Sequence, residues 1–244
     1  MARTRTAIVL GGSGSVGAAL LRELCLDDEF ATVVAILRRP LSAPADTRVA
    51  GCDLVERLVP DMEPVSLEAA TRAAAVEAAG EVDGFSVLGI GAGTARLTID
   101  EHRAVDVALN EAFARGLRAS GVVRHLAFMS AVGADPTSRA TGGGGAGMPR
   151  YNRVKGESEV AVRASGPPIV SVFRPSMIIG SPHTPWLLEK VLPLLSFVTP
   201  ARFRSISVEQ IAQAMVAAAR QRPAASATYH YPEMMALIPA ARRS

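Results

Sequence analysis

The sequence predicts an α/β fold: a doubly wound parallel sheet with helices on both faces and a small C-terminal cap region. Three observations carry that prediction. Short apolar runs rich in β-branched residues alternate with helical stretches through the first half, the order of βαβ units. A glycine cluster, Gly11-Gly12-Ser13-Gly14-Ser15-Val16-Gly17, falls between the first apolar run and the first helix. The 244 residues are 49% hydrophobic and 20% charged, a balance that suits one sizeable core and argues against a disordered chain.

Thr6–Leu10 reads as a buried strand, followed by the glycine turn and a helix from Val16 to Leu26. Thr32–Leu37 is β-branched and reads as the second strand. Arg48–Cys52 is a short candidate for the third. Ser66–Ala79 is Ala-rich and helical, and Gly84–Ile90 is the fourth strand. Asp100–Ser120 is a long helix with Gly121 at its C-cap. Val122–Met129 and Ile169–Phe173 are the fifth and sixth strands. Between them, Ala134–Pro149 contains four consecutive glycines, 142 to 145, and reads as a mobile loop. Beyond Arg174 the alternation fails, with prolines at 175, 182, 185, 193 and 200. Val208–Arg220 is the last helix, with Ile211, Met215 and Ala218 along one face. The whole reads as a single Rossmann-type domain over residues 1–244, with 175–205 and 225–244 as cap elements.

Charge and cysteine content narrow the classes of partner. Twenty-six Lys and Arg against 23 Asp and Glu leave a net charge of +3, too small an excess to call for nucleic acid. The C-terminal arginines lack interleaved aromatics and read as solvated faces. Cys25 and Cys52 cannot make a disulfide framework and read as reduced thiols of a cytoplasmic protein. No apolar run reaches the ~18–20 residues of a membrane span. The glycines after Leu10 break the run too early for a secretory leader. The four histidines have no metal-ligand spacing, with His125 expected before or capping a strand. Neither a Gly-Lys-Ser/Thr nor a G-x-S-x-G motif is present.

The glycine cluster has the spacing G-x-x-G-x-x-G. Gly11 permits the tight turn, Gly14 lets backbone approach a pyrophosphate, and Gly17 lets the helix pack on the sheet. The helix N–H groups then hold the anion. Gly12, Ser13, Ser15 and Val16 complete the candidate site. Arg38 and Arg39 stand where a dinucleotide site selects its adenosine ribose, about 20 residues past the last motif glycine. Arginine there pairs with a 2′-phosphate, which points to NADP(H) over NAD; read blandly, both are solvated charges. Asp53 and Leu54, after the presumed third strand, are candidates for the adenine edge. Gly89, Ile90 and Gly91 end the fourth strand and are candidates for the floor under the cofactor. A strand-ending Asp or Gly is also ordinary turn chemistry.

Tyr151 and Lys155 share one face of a helical stretch through their i,i+4 spacing. A phenol titrates near ~10, and a neighbouring ammonium favours its ionised form. The pair therefore suits general acid/base work during hydride transfer at a carbonyl or alcohol, with Lys155 also in reach of a nicotinamide ribose.

Taken together, Gly11 to Gly17, Leu37-Arg38-Arg39, His125 to Asp135, Tyr151 to Glu157 and Phe173-Arg174-Pro175 resemble the short-chain dehydrogenase/reductase superfamily. Within it the chain is most similar to the atypical branch of the Tat-interacting protein and NmrA-like proteins, over roughly residues 6 to 215. The resemblance implies NADPH in the cleft and a Ser-Tyr-Lys constellation, with Ser130 as the serine that orients a substrate carbonyl. It also implies that Arg174, Pro175, Ser176 and Met177 lie beside the nicotinamide, where a rigid turn leaving the sheet is the plainer alternative. Two features depart from the pattern. Ala131 stands where relatives carry a second hydroxyl, and the loop before Tyr151 is longer.

The expected function is an NADP(H)-dependent oxidoreductase acting on a small-molecule carbonyl compound. The alternative is an NADP(H)-binding, redox-sensing regulatory protein that contacts a protein partner without turnover. Trp186–Leu192 would suit the wall of an apolar substrate pocket, a contact in a homodimer, or a helix on a membrane surface, the pocket or core role being preferred.

Overall fold

The computed structural model describes residues 3–41, 51–180 and 200–240. Seven parallel strands form the main sheet in the order β3-β2-β1-β4-β5-β6-β9. They are β1 (Arg5–Leu10), β2 (Phe30–Leu37), β3 (Asp53–Leu58), β4 (Val82–Ser86), β5 (Val123–Met129), β6 (Ile169–Phe173) and β9 (Ala227–Tyr229). A separate parallel pair joins β7 (Ile178–Ile179) to β8 (Ile206–Ser207). The order reverses between β1 and β4, the switch point at whose carboxyl edge open α/β sheets take their ligands.

Alternation along each central strand divides the interior in two. Ala7 and Val9 point into a core shared with α1 (Ser15–Leu26) and α6 (Val208–Arg220). Ile8 and Leu10 point into the other, shared with α2 (Pro64–Glu77), α4 (Asn110–Ala119) and α5 (Pro149–Ser165). Because both faces are covered, β1, β4 and β6 are buried throughout. A capping box between Ser207 and Gln210 starts α6, each side chain 3.1 Å from the other's backbone nitrogen.

Several expectations need correction. The third strand begins at Asp53, not Arg48, and residues 42–50 lie outside the described segments. It is an edge strand whose Asp53, Val55, Glu56 and Leu58 are exposed, so its sequence lacks the apolar run that marks its neighbours. The fourth strand stops at Ser86, leaving Gly89 to Gly91 beyond it. The long helix is three pieces: α3 (Ile99–Arg103), a π-helical turn (Ala104–Leu109) and α4. Residues 225–240 are not a cap: β9 extends the sheet beside β6, and α7 (Tyr231–Leu237) buries Met234, with Ile238 just after it, in the core. The segment Trp186–Leu192 lies outside the described residues.

Cys25, near the end of α1, and Cys52, just before β3, are joined in a disulfide across a Cα separation of 5.3 Å, rather than standing as free thiols. Their 27-residue separation hid this, because the β2–β3 crossover returns to the end of α1. His125 sits within β5 rather than before it, buried in a polar relay across four adjacent strands. Its Nδ1 is 3.2 Å from Asp83 of β4 and its Nε2 2.9 Å from Ser171 of β6, while Asp83 also receives Arg5 of β1. Among the described residues no helix is long and apolar enough to cross a membrane.

Candidate functional site

The glycine turn begins where β1 ends. Gly11 adopts φ +88°, and a Cβ there would stand 2.7 Å from the backbone nitrogen of Leu88. A Cβ on Gly17 would strike the Gly11 carbonyl oxygen, so both positions require glycine. Gly14 caps α1 without a side-chain hydrogen bond, and the first turn carries no acidic residue. The amides of that turn and the positive end of the helix dipole therefore have no counter-charge of their own, the condition for holding a phosphate. Gly12 and Val16 are buried beneath, while Ser13 and Gly14 are exposed and Ser15 is half-buried.

Arg38 and Arg39 follow β2 at the same carboxyl edge, exposed and with no ion pair recorded among the described residues. Asp53 and Leu54 do not reach that edge. They pair with Thr32 and Val33 at the opposite end of the strands, roughly 16 Å from the end of β3. The residues that leave the carboxyl end of β3 are Val59, Pro60, Asp61 and Met62. Asp61 accepts hydrogen bonds from Ser66 Oγ at 2.7 Å and from Glu63 N at 3.3 Å, and Met62 holds φ +48°.

The densest chemistry lies where α3, the π turn and α5 meet the segment after β4. Lys155 Nζ is 2.7 Å from Asp106 Oδ1, and the residues are only 4% and 1% exposed. Asp106 Oδ2 accepts the amide of Ile90 at 3.2 Å. A Cβ on Gly89 would lie 3.1 Å from Lys155 Nζ and 3.2 Å from Asp106 Oδ1, so glycine makes room for the ion pair. The π turn leaves the Asp106 carbonyl to accept Ser158 Oγ at 2.5 Å and Asn110 Nδ2 at 2.9 Å. Tyr151, 9% exposed, stacks on the His102 ring with centroids 5.7 Å apart and planes at 29°. His102 Nε2 lies 3.6 Å from Asp106 Oδ1, and among the described residues neither ring nitrogen makes a hydrogen bond. Sequence reading missed His102 and Asp106. Their i,i+4 spacing mirrors that of Tyr151 and Lys155 and was the available signal.

These contacts reverse one electrostatic expectation. Burial pushes the Tyr151 phenol above its usual range; the Lys155 ammonium opposes this, and the Asp106 carboxylate adds to it. Burial works against the charge on Lys155, but Asp106 outweighs it and holds the ammonium above its ordinary range. Burial likewise works against the Asp106 carboxylate, and Lys155 overcomes it, holding the group well below the usual carboxylate range.

Ser130 lies one residue past β5, its amide donating to Phe173 O at 2.7 Å and its buried Oγ without a hydrogen-bond partner among the described residues. Ala131 is half-buried beside it. Val132 N donates to Pro175 O at 2.8 Å, tying the ends of β5 and β6 together. Arg174 is committed to Glu159 of α5 through two bonds of 2.8 and 2.7 Å, which makes it a bracket of the fold. Ser176 Oγ donates to Phe203 O at 3.1 Å, Met177 O accepts Ile206 N at 3.0 Å, and the Met177 side chain is exposed. The loop before α5 is anchored at both ends. Asp135 N donates to Asn152 O at 2.9 Å, Arg153 Nη1 to Ser138 O at 2.9 Å, and Arg150 Nη2 to Leu97 O at 2.8 Å.

A parallel sheet with its switch point beside an uncapped glycine turn defines a dinucleotide-binding protein of the Rossmann class. The chain belongs to the NAD(P)H-binding family, which matches residues 11–222. Solved structures share the fold. MoeE5 in complex with UDP-glucuronic acid and NAD superposes with a TM-score of 0.65 at 18% identity, over 93% of this chain and 76% of its own. A short-chain dehydrogenase/reductase from Serratia marcescens gives 0.63 at 20% identity, over 95% and 98%. A Burkholderia cenocepacia protein described as a putative epimerase gives 0.62 at 17% identity, over 97% and 80%. No curated protein matches the sequence.

Proposed function

We propose that the chain is an NADP(H)-dependent reductase that converts a small-molecule carbonyl to an alcohol. The observation that carries this reading is the buried Tyr151–Lys155–Asp106 cluster, packed against the segment that leaves β4 beside the glycine turn. Two features fit a coenzyme: the uncapped first turn of α1 and the partnerless hydroxyl of Ser130. The first-turn amides would take the pyrophosphate and Arg38 and Arg39 the adenosine 2′-phosphate, with Asp61 and Met62 replacing Asp53 and Leu54 near the adenine. Gly89, Ile90 and Gly91 would floor the cleft, and Pro175, Ser176 and Met177 would border the nicotinamide end.

When bound, the reduced nicotinamide supplies a hydride to the carbonyl carbon. Tyr151 gives its phenolic proton to the carbonyl oxygen as the C=O π bond opens, and the phenolate recovers a proton from water. Lys155, held in place by Asp106, would hydrogen-bond the nicotinamide ribose and so set the ring against Tyr151. Ser130 donates a hydrogen bond to the carbonyl oxygen, which satisfies an otherwise orphaned group.

Thermal unfolding with each coenzyme tests the binding half of this reading. A larger rise with NADPH than with NADH is expected, and no rise with either overturns it. NADPH oxidation across a panel of aldehydes, ketones and quinones tests the rest. Tyr151→Phe should keep the NADPH-induced rise and lose about 10²–10⁴-fold in turnover. Ala131, in place of a second hydroxyl, favours a second reading, a redox-sensing NADP(H)-binding protein acting through a protein partner. Stabilisation by NADPH with no oxidation on any carbonyl would select it.

A further inference from the structure

Nothing in the proton-donor role of Tyr151 requires a carboxylate beside its lysine. Yet Asp106 stands 2.7 Å from Lys155 Nζ, sealed from solvent and oriented by a second bond from Ile90 N. The charged and titratable groups around Tyr151 come from three elements. Lys155 stands one turn along α5, with Glu159 beyond it already paired to Arg174. Asp106 comes from the π turn. His102 of α3 stacks on the phenol ring with the planes at 29°, and its Nε2 lies 3.6 Å from Asp106 Oδ1.

The ordinary effect of a neighbouring ammonium is to draw the proton off a phenol, which suits a base that deprotonates an alcohol. Here an anion 2.7 Å away offsets that charge at a buried site, where electrostatic effects are stronger than at the surface. The π turn aids this arrangement, since its extra residue directs the Asp106 carbonyl to Ser158 and Asn110 while the carboxylate meets Lys155. Gly89 leaves the space the pair needs.

We propose that Asp106 is a positioning residue that offsets the Lys155 charge beside Tyr151 and so keeps Tyr151 a protonated donor at neutral pH. This rests on the reductase reading for its consequence, but not for its test. The direction of the Tyr151 effect agrees: its phenol is held above the usual range.

The experiment needs no coenzyme. The chain has three tyrosines, so Tyr229→Phe and Tyr231→Phe leave Tyr151 as the single phenol in an absorbance titration. With Asp106 intact and the fold verified by circular dichroism, the midpoint should lie above the ordinary ~10. A midpoint at or below ~10 overturns the proposal. Asp106→Asn should then lower the midpoint by about 1–3 units, and no lowering also overturns it. If that variant does not fold, Asp106→Ser supplies the same comparison, and a midpoint that does not fall below that of the Asp106 chain overturns the proposal. Because NADPH-dependent stabilisation is measured separately, a normal phenol in a chain that binds NADPH sinks this inference alone. A raised phenol in a chain that binds neither coenzyme sinks only the reductase reading.

Discussion

Arg5 Nη2 lies 2.5 Å from Asp83 Oδ2, an ion pair across β1 and β4 in which the residues are 1% and 3% exposed. Arg5 also bonds Glu29 at 2.7 Å and Ala219 O at 3.0 Å, and its guanidinium lies over Phe30 at 4.9 Å. Asp83 passes the connection on to His125. This network sits at the amino ends of the strands, away from the candidate site, so its role is structural. Removing one member of a buried pair leaves the other charge unmatched, at a cost of about 3–5 kcal/mol. Arg5→Met should lose that much in urea unfolding while leaving any NADPH-induced stabilisation intact. A loss below about 1 kcal/mol would show that the pair does not hold the sheet together.

On the proposed reading, Arg38 and Arg39, exposed at the carboxyl end of β2, hold the 2′-phosphate of NADPH. Replacing both with alanine should weaken NADPH at least tenfold, about 1.4 kcal/mol, and leave NADH nearly unchanged. Calorimetric titration of each coenzyme checks it. Equal losses for both would move the arginines from phosphate selection to general binding.

The fold was legible wherever burial writes itself into composition. β1, β2 and β6 are apolar because both faces are covered, and the glycine turn is visible because Gly11 and Gly17 touch backbone. β3 was misplaced because an edge strand tolerates Asp53, Glu56 and Arg57, and β9 because three half-buried residues carry no period. At the site, Tyr151 and Lys155 were found from spacing. Asp106 and His102 were passed over because their meaning depends on α3 and the π turn packing against α5, a contact about fifty residues distant that no local pattern records. Arg174 illustrates the converse: its motif position was noted, but the Glu159 carboxylate engages it.

Asp106 ties stability to acid pH. Its folded carboxyl is held well below the usual range, so the unfolded chain takes up a proton there first. The stability it contributes is therefore full above the unfolded value near ~3.9 and is lost as pH falls below that toward the folded value. Asp106→Asn removes the titrating group. The difference in unfolding free energy between the native chain and this variant should be constant from pH 5 to 7, on the order of the handful of kcal/mol set by a buried pair, and shrink below about pH 4. Urea unfolding from pH 3 to 7 measures it. A difference that stays flat across that range would mean that Asp106 does not titrate in the way its pairing with Lys155 requires.

Cys25 and Cys52 close a 27-residue segment that contains β2 together with Arg38 and Arg39. Cross-linking a segment of that length restricts the unfolded chain by about 3–4 kcal/mol on the chain-entropy account. A domain of this size shifts its melting temperature by roughly 2–4 °C per kcal/mol, so loss of the bond should lower melting by about 6–16 °C. Cys52→Ser should melt lower than the oxidised chain and be indifferent to a dithiol reductant, while the native chain should fall to a similar value when reductant is added. The same bond fixes where the crossover that follows Arg39 rejoins the sheet, so NADPH should bind the reduced chain more weakly than the oxidised one. Identical melting with and without reductant would show that the two sulfurs are not bonded in solution.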